Sequence, residues 1–428
     1  VTAGRLRRED CYGRSVRTQE VGAEAGLGAR RFDPWSPEFV AYPYEAYADL
    51  RENTPVTYFE PTDQWLIARY EDVNALLRDR RLGRTYLHVA THQEFGREPD
   101  PEYLAPFWHV IRNGMLDMEP PDHTRLRRLV AKAFTPRMVE SLRPRVQKIA
   151  EELVAGLLAA GGGDLIEAVA EPLPVTVIAE LLGVPEPDRH LLRPWSADIC
   201  GMYELNPTRE AGEKAVRACQ EFSAYLRDLS RERRANPRDD LISALAQVVD
   251  SGDRLTEDEL IGTCVLLLNA GHEATVNVTG NGWWALFRNP DQLAKLRGDL
   301  SLLPGAIEEL MRYDTPLQMF ERWVLEDIEV RGVRIPRGSE VALLFGSANH
   351  DPAVFADPDR LDVTRQDNPH ISFGAGIHYC LGAPLARIEL QCSFGTLLRK
   401  APDLRLVREP EWKPGYIIRG LKELVVEV

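Results

Sequence analysis

Apolar residues recur at helical spacing over most of this chain. Thr124–Phe134, Arg143–Ala159, Pro172–Leu182 and Arg209–Arg234 each place them three or four positions apart, which predicts four amphipathic helices. A longer rod follows them. Thr256-Glu257-Asp258-Glu259 is a capping box, Cys264–Ala270 is apolar on nearly every face except at Asn269, and Pro290 stops the pattern after Arg288. At ~1.5 Å per residue the rod is ~45 Å long and crosses the core. Strand signals are short: Trp65–Ala68, a hairpin over Glu329–Pro336, and terminal strand pairing over Ile417–Val428. Tyr70–Leu77 predicts a short helix. Gly83–Gly114, with Pro99, Pro101 and Pro106, reads as a long functional loop. Residues 1–31 are charged and glycine-rich without a sustained apolar period, so they read as a flexible tail. The remainder, 32–428, reads as a single mainly α domain with small β-sheets.

Composition narrows the function. The 428 residues are 44% hydrophobic, enough for a large core, and the net charge of −14 argues against a nucleic-acid partner. No apolar run is long enough to span a bilayer and no signal peptide opens the chain, so a soluble cytoplasmic protein is expected. Cys11, Cys200, Cys219, Cys264, Cys380 and Cys392 are scattered without a CxxC pair, which excludes a disulfide framework or a zinc module as the organising principle.

Cys380 stands apart from the other five. It lies in Phe373-Gly374-Ala375-Gly376-Ile377-His378-Tyr379-Cys380-Leu381-Gly382, just before the helical run Ala383–Leu398. Gly374 and Gly376 permit positive φ and let backbone approach a flat ligand. The N–H groups of a loop entering a helix favour a thiolate. A single cysteine cannot complete a four-ligand zinc or iron–sulfur site, but it can be the one axial ligand of a heme. A buried free cysteine ahead of a helix is the plainer explanation, and the surrounding aromatic, glycines and histidine favour the heme.

Three further groups carry chemistry. In the middle of the rod, Ala270-Gly271-His272-Glu273-Ala274-Thr275 combines a helix-weakening glycine with a carboxylate in an otherwise buried helix. The expectation is a local widening of the helix over a ligand, the alternative being that Glu273 reaches a solvent channel or an arginine. His123 and Arg127, four apart, share one helix face and can bind buried anions. Arg125, Arg128 and Lys132 form a second face, read either as a positive docking patch or as an ordinary solvated surface. Glu309-x-x-Arg312 places a carboxylate and a guanidinium three apart on one helix, and Arg322 and His378 are further donors for a heme's propionates.

Taken in order and spacing, these motifs resemble the bacterial cytochrome P450 family over roughly Phe32–Val428. The resemblance implies the family's mainly α triangular-prism fold with small β-sheets. It implies heme b (iron protoporphyrin IX) ligated by Cys380, in a loop marked by Phe373, Gly374, His378 and Gly382. It also implies propionate contacts from His123, Arg127, Arg322 and His378, and Ala270 and Gly271 over the cofactor. Glu309, Arg312 and Arg360, the last in Asp357-Pro358-Asp359-Arg360, are the implied structural triad. Glu273, Ala274 and Thr275 occupy the oxygen-activating positions, but Ala274 stands where the family usually has threonine. Thr275, ~100° further around the helix, should not simply replace it. The implied substrate positions are Leu87, Met115, Ala270, Leu317, Met319, Phe320, Ile417 and Ile418.

The activity implied is monooxygenation of a lipophilic small molecule, by hydroxylation or epoxidation, with O2. Electrons would come from a ferredoxin and an NAD(P)H-ferredoxin reductase. The protein would be a monomer without a membrane partner, serving secondary-metabolite tailoring of macrolide or polyketide type. The alternatives are a peroxide-driven peroxygenase, to which Ala274 points, a non-catalytic recruitment module of the same fold, and a heme gas sensor.

Overall fold

A computed structural model describes residues 32–249 and 252–428; the tail expected over 1–31 lies outside the described residues. Eight principal helices organise the rest: α1 (Asp122–Ala133), α2 (Arg143–Ala159), α3 (Pro172–Leu182), α4 (Leu192–Cys200), α5 (Arg209–Ala235), α6 (Glu257–Arg288), α7 (Leu303–Tyr313) and α8 (Ala383–Lys400). The long rod is α6. Thr256 Oγ1 accepts from Glu259 N at 3.1 Å and Glu259 returns a bond from Thr256 N at 2.8 Å, so the capping box forms as the sequence predicts. The rod packs against α3, α4, α5, α7 and α8, which explains why it is apolar nearly all round. α8 lies along α2 and is tied to α6 by Trp283, which is fully buried and stacks on Phe394 with ring centroids 5.2 Å apart. The helix carrying the cysteine loop is therefore fixed to the helix across from it.

The sheets are small. β1 (Val56–Phe59), β2 (Gln64–Ile67), β3 (Leu82–Gly83), β5 (Phe320–Val324) and β8 (Glu340–Leu343) form one sheet in the order β1-β2-β8-β5-β3, with β2 and β8 parallel and the other pairs antiparallel. β4 (Gly162–Asp164), β10 (Val425–Glu427) and β9 (Arg405–Leu406) form a second, and β6 (Ile328–Val330) with β7 (Val333–Ile335) is the expected hairpin. Among the described residues, no helix is long and apolar enough to cross a membrane.

Two expectations change. Gly83–Gly114 is not a structureless loop: Thr91 and Glu94 build a capping box over a helix at His92–Phe95, and a second helix, Ala105–Arg112, buries Phe107, Val110 and Ile111. The terminal pairing is shorter than expected. Only Val425–Glu427 is strand, with isolated bridges at Leu317–Ile418 and Trp412–Leu421. The reason is local: the amides of Tyr416, Ile417 and Ile418 bond to the Glu204 carboxylate instead of to a strand.

Candidate active site

The cysteine loop is shaped by its glycines. Gly374 and Gly376 adopt φ of 67° and 69°, and a Cβ on Gly376 would lie 2.5 Å from the Leu77 carbonyl oxygen, so no larger residue fits there. Cys380 N donates to Phe373 O at 3.0 Å and closes the loop. Burial pushes the Cys380 thiol up, while the Gly382 and Ala383 N–H groups and the Arg127 and Arg387 charges pull it down. These N–H groups and cations are what a thiolate requires. Phe373 lies under the Arg387 guanidinium, 4.5 Å from ring centroid to Cζ.

Beside the loop, cations and donors outnumber the carboxylates near them, Glu119 and Asp117. Both ring nitrogens of His123 are buried with no hydrogen-bond partner, and its ring lies 4.4 Å from that of His378. Burial, helped by the charges of His378 and Arg127, lowers His123 to about 4. His378 Nε2 is 3.7 Å from Glu119 Oε1. Arg322 is 3% exposed, its one side-chain hydrogen bond goes to the Glu321 carbonyl at 2.9 Å, and burial, with the neighbouring Arg84 charge, presses its pKa down to about 9. Buried donors of this kind are normally satisfied. Their pattern fits a group bearing two carboxylates, as the propionates of heme do. Arg127 Nη2 donates to Tyr379 O at 2.6 Å and so joins α1 to the cysteine loop.

α6 presents one opened face. In its middle, Leu266, Leu267, Ala270, Gly271, Glu273 and Ala274 are the less buried positions, all on one helical stripe, and Ala270 is exposed. The expected widening does not occur: α6 is continuous from Glu257 to Arg288, and nothing lies within 4 Å of a Cβ built on Gly271. Small side chains give the room without distorting the helix. Glu273 Oε2 sits 3.6 Å from Lys413 Nζ, so its partner is a lysine from the C-terminal segment rather than an arginine. Thr275 is 5% exposed and its hydroxyl bonds toward Glu389 of α8, whose pKa burial lifts to about 8. It is thus engaged away from the stripe that carries Ala274.

The expected triad needs a correction. Glu309 and Arg312 form a fully buried pair, Nε to Oε2 at 2.7 Å and Nη2 to Oε1 at 2.8 Å. The third member is Arg365, whose Nε reaches Glu309 Oε2 at 3.0 Å, whereas Arg360 is exposed and offers only its carbonyl, 3.4 Å from Arg312 Nη2. The turn through Asp357–Asp362 points Arg360 outward, and Asp362 N and Asn368 Nδ2 complete the Glu309 shell at 3.0 and 3.1 Å. Beside it Glu308 takes Arg387 Nε at 2.7 Å and His370 Nε2 at 3.1 Å; against the cost of burial, these bonds hold Glu308 at about 2.

Leu317, Met319, Phe320, Ile417 and Ile418 come together around a cavity of 220 Å3, joined by Met202 and Tyr203. Leu87 instead lines a neighbouring cavity of 480 Å3. Met115 is 5% exposed and packs into the helical core, so it is not part of that wall. Nor does the positive patch stand bare: Arg125 pairs with Glu259, and Arg128 with Asp253 at 3.2 Å. Sequence reasoning missed Arg365, Lys413 and Glu389. Glu389 alone carried a signal, as a carboxylate between Ile388 and Leu390 in a helical run.

Comparison with known proteins identifies the family. The family model described as Cytochrome P450 matches residues 197–401. The chain is 43% identical over 421 residues to "Cytochrome P450 monooxygenase PikC" of Streptomyces venezuelae, covering 96% of this chain and 97% of that protein. To the 6-deoxyerythronolide B hydroxylase of Saccharopolyspora erythraea it is 41% identical, covering 90% of this chain and 96% of that one. Among solved structures, P450BioI in complex with hexadec-9Z-enoic acid ligated acyl carrier protein superposes with a TM-score of 0.85 at 38% identity, over 92% of this chain and 100% of that one.

Proposed function

Because the chain belongs to the cytochrome P450 family of heme-thiolate monooxygenases, we propose that it inserts oxygen into a macrolide- or polyketide-like lipophile, with Cys380 as the axial thiolate. The observation that carries this reading is the meeting of one loop thiol, held by helix-entry N–H groups, with His123, whose ring nitrogens have no partner among the described residues, and Arg322, which makes no ion pair among them. His123, Arg127, Arg322 and His378 would hold the propionates, and Phe373, Gly374 and Gly382 frame the ligand. When bound, the heme supplies dioxygen activation and C–H oxidation. The other groups belong to the chain. Residues 32–428 act as one unit. Leu317, Met319, Phe320, Ile417 and Ile418 bind and orient the apolar substrate and exclude water. Glu273, its Oε2 fixed by Lys413, holds a proton at the edge of the open helix face. Ala274 supplies no hydroxyl there, so a substrate hydroxyl or an ordered water completes the proton path.

The relatives' names support the substrate class. Besides 6-deoxyerythronolide B hydroxylase they include "Mycinamicin IV hydroxylase/epoxidase" and "Polyketide biosynthesis cytochrome P450 PksS". Electrons come from a ferredoxin and its NAD(P)H-dependent reductase to a monomeric cytoplasmic enzyme, docking where the paired Arg125 and Arg128 leave limited positive charge. Turnover of a macrolactone panel with ferredoxin, reductase and NADPH tests this reading. Product formation dependent on the reductase is expected; product formed only with hydrogen peroxide would replace it by the peroxygenase reading.

A further inference from the structure

Glu204 is one of three carboxylates lining the 220 Å3 cavity, with Asp117 and Glu321, and the proton path uses none of them. It lies in the segment joining α4 to α5. Its Oε2 accepts from Tyr416 N at 2.9 Å and Ile417 N at 3.0 Å, and its Oε1 from Ile418 N at 2.9 Å. Among the described residues no lysine, arginine or histidine pairs with it. Burial raises its proton affinity, the three N–H bonds oppose that, and Glu321 across the same cavity adds to it. A buried carboxylate without a cation is costly unless its lone pairs are filled by fixed donors, and here three successive amides fill them.

The opposite wall is built for this grip. A Cβ on Gly415 would lie 2.8 Å from Glu204 Oε1, so only glycine lets the carboxylate approach. The other edge of the same segment is occupied: Gln318 N donates to Ile417 O at 3.0 Å, and Arg419 N to Pro316 O at 2.7 Å. The 416–418 segment thus binds the 316–318 segment on one edge and Glu204 on the other. Among the described residues, the hydrogen bonds between the 201–207 segment and the C-terminal strap all run through this one side chain, and both segments line the cavity.

We propose that Glu204 is a positioning and specificity-determining residue of the substrate cavity: its carboxylate, held by the Tyr416, Ile417 and Ile418 amides, fixes the 201–207 wall against the 416–418 wall and sets the width between them. The idea rests on the reading of this cavity as the substrate site. Glutamine at 204 turns one acceptor into a donor facing an N–H, and aspartate is too short to reach all three amides. Alanine at 415 pushes the same contact apart from the other side.

The test uses the full heme-loaded chain and its Glu204→Gln, Glu204→Asp and Gly415→Ala variants. Hydrogen exchange of the peptide spanning 416–418 should quicken by about tenfold in each variant, as expected for loss of one or two of these bonds. Spectral titration with imidazole should change less than about twofold, while the affinity for bulky clotrimazole should shift by about fivefold or more, because cavity width is what changes. Exchange unchanged within about twofold in the variants, or equal shifts for both azoles, overturns the proposal. Failure of the heme reading is distinguishable: it would appear as no azole spectrum in the parent protein, with the exchange measurement still deciding whether the walls are joined.

Discussion

The cluster behind the cysteine loop and the ground in front of it are built on opposite principles. Behind it, Glu309 accepts from Arg312, Arg365, Asp362 N and Asn368, and Arg312 also donates to the Asn349 and Pro358 carbonyls at 2.8 Å. No charge there is left alone. In front, among the described residues, the His123 nitrogens have no partner and Arg322 makes no ion pair, and Ala274 stands beside Glu273 without a hydroxyl. A satisfied buried network rigidifies a site, whereas an unsatisfied one costs stability until something fills it. The difference separates the scaffold that holds the thiolate from the surfaces that wait for cofactor and substrate.

The comparison breaks most visibly at Arg312. Arg312→Leu leaves Glu309 charged and buried without its main partner, and should lower the unfolding free energy by ~3–5 kcal/mol in urea titration. Arg365 and Arg360 sharpen it. Arg365→Ala should cost ~1.5–3 kcal/mol by the same measurement, because a charged hydrogen bond is lost, while Arg360→Ala should stay within ~0.5 kcal/mol as an exposed site does. The reverse order would restore the assignment that the sequence suggests.

Titration separates two further carboxylates, Glu308 half-buried and Glu389 buried. Glu308, held at about 2, stabilises the fold above its ordinary 4.5 and loses that contribution as pH falls from 4.5 through 2. Glu389, lifted to about 8, does the opposite: the native state keeps a proton that the unfolded chain releases, so stability falls as pH rises from 4.5 to 8. Thermal unfolding against pH should therefore lose part of its acid limb in Glu308→Gln and part of its alkaline limb in Glu389→Gln. The front should respond in the opposite direction. Arg322→Met should leave the heme-free protein equally stable or stabilise it by up to ~1 kcal/mol, since an unpaired buried charge is removed. The same change should speed heme loss to a scavenger protein, and a strongly destabilised heme-free variant would show that Arg322 has a partner in the fold itself.

How much of this was legible in the sequence follows the same divide. Periodicity located α2 and α3 to the residue and the cap of α6 at Thr256, because local spacing and a capping box decide them. The Cys380 loop was legible because Gly374 and Gly376 are needed for backbone reasons that a sequence displays directly. The choice of Arg365 over Arg360 was not, since two arginines five residues apart differ only in which way a turn points them. Lys413 and Glu204 were hidden for a related reason. Each meets a partner well over a hundred residues away in sequence, Glu273 in one case and the Tyr416–Ile418 amides in the other, and no local pattern announces such a meeting. The terminal strand was overextended because alternation cannot show that a side chain has taken the amides.

The central claim is that Cys380 is the thiolate held by this loop. Its most direct test is the carbon monoxide difference spectrum of the reduced, heme-loaded protein, recorded for the parent chain and for Cys380→Ser. Ligation by Cys380 predicts the absorption characteristic of thiolate-ligated heme in the parent and its loss in the variant. An imidazole-type spectrum in the parent, or a thiolate-type spectrum that survives Cys380→Ser, would contradict it.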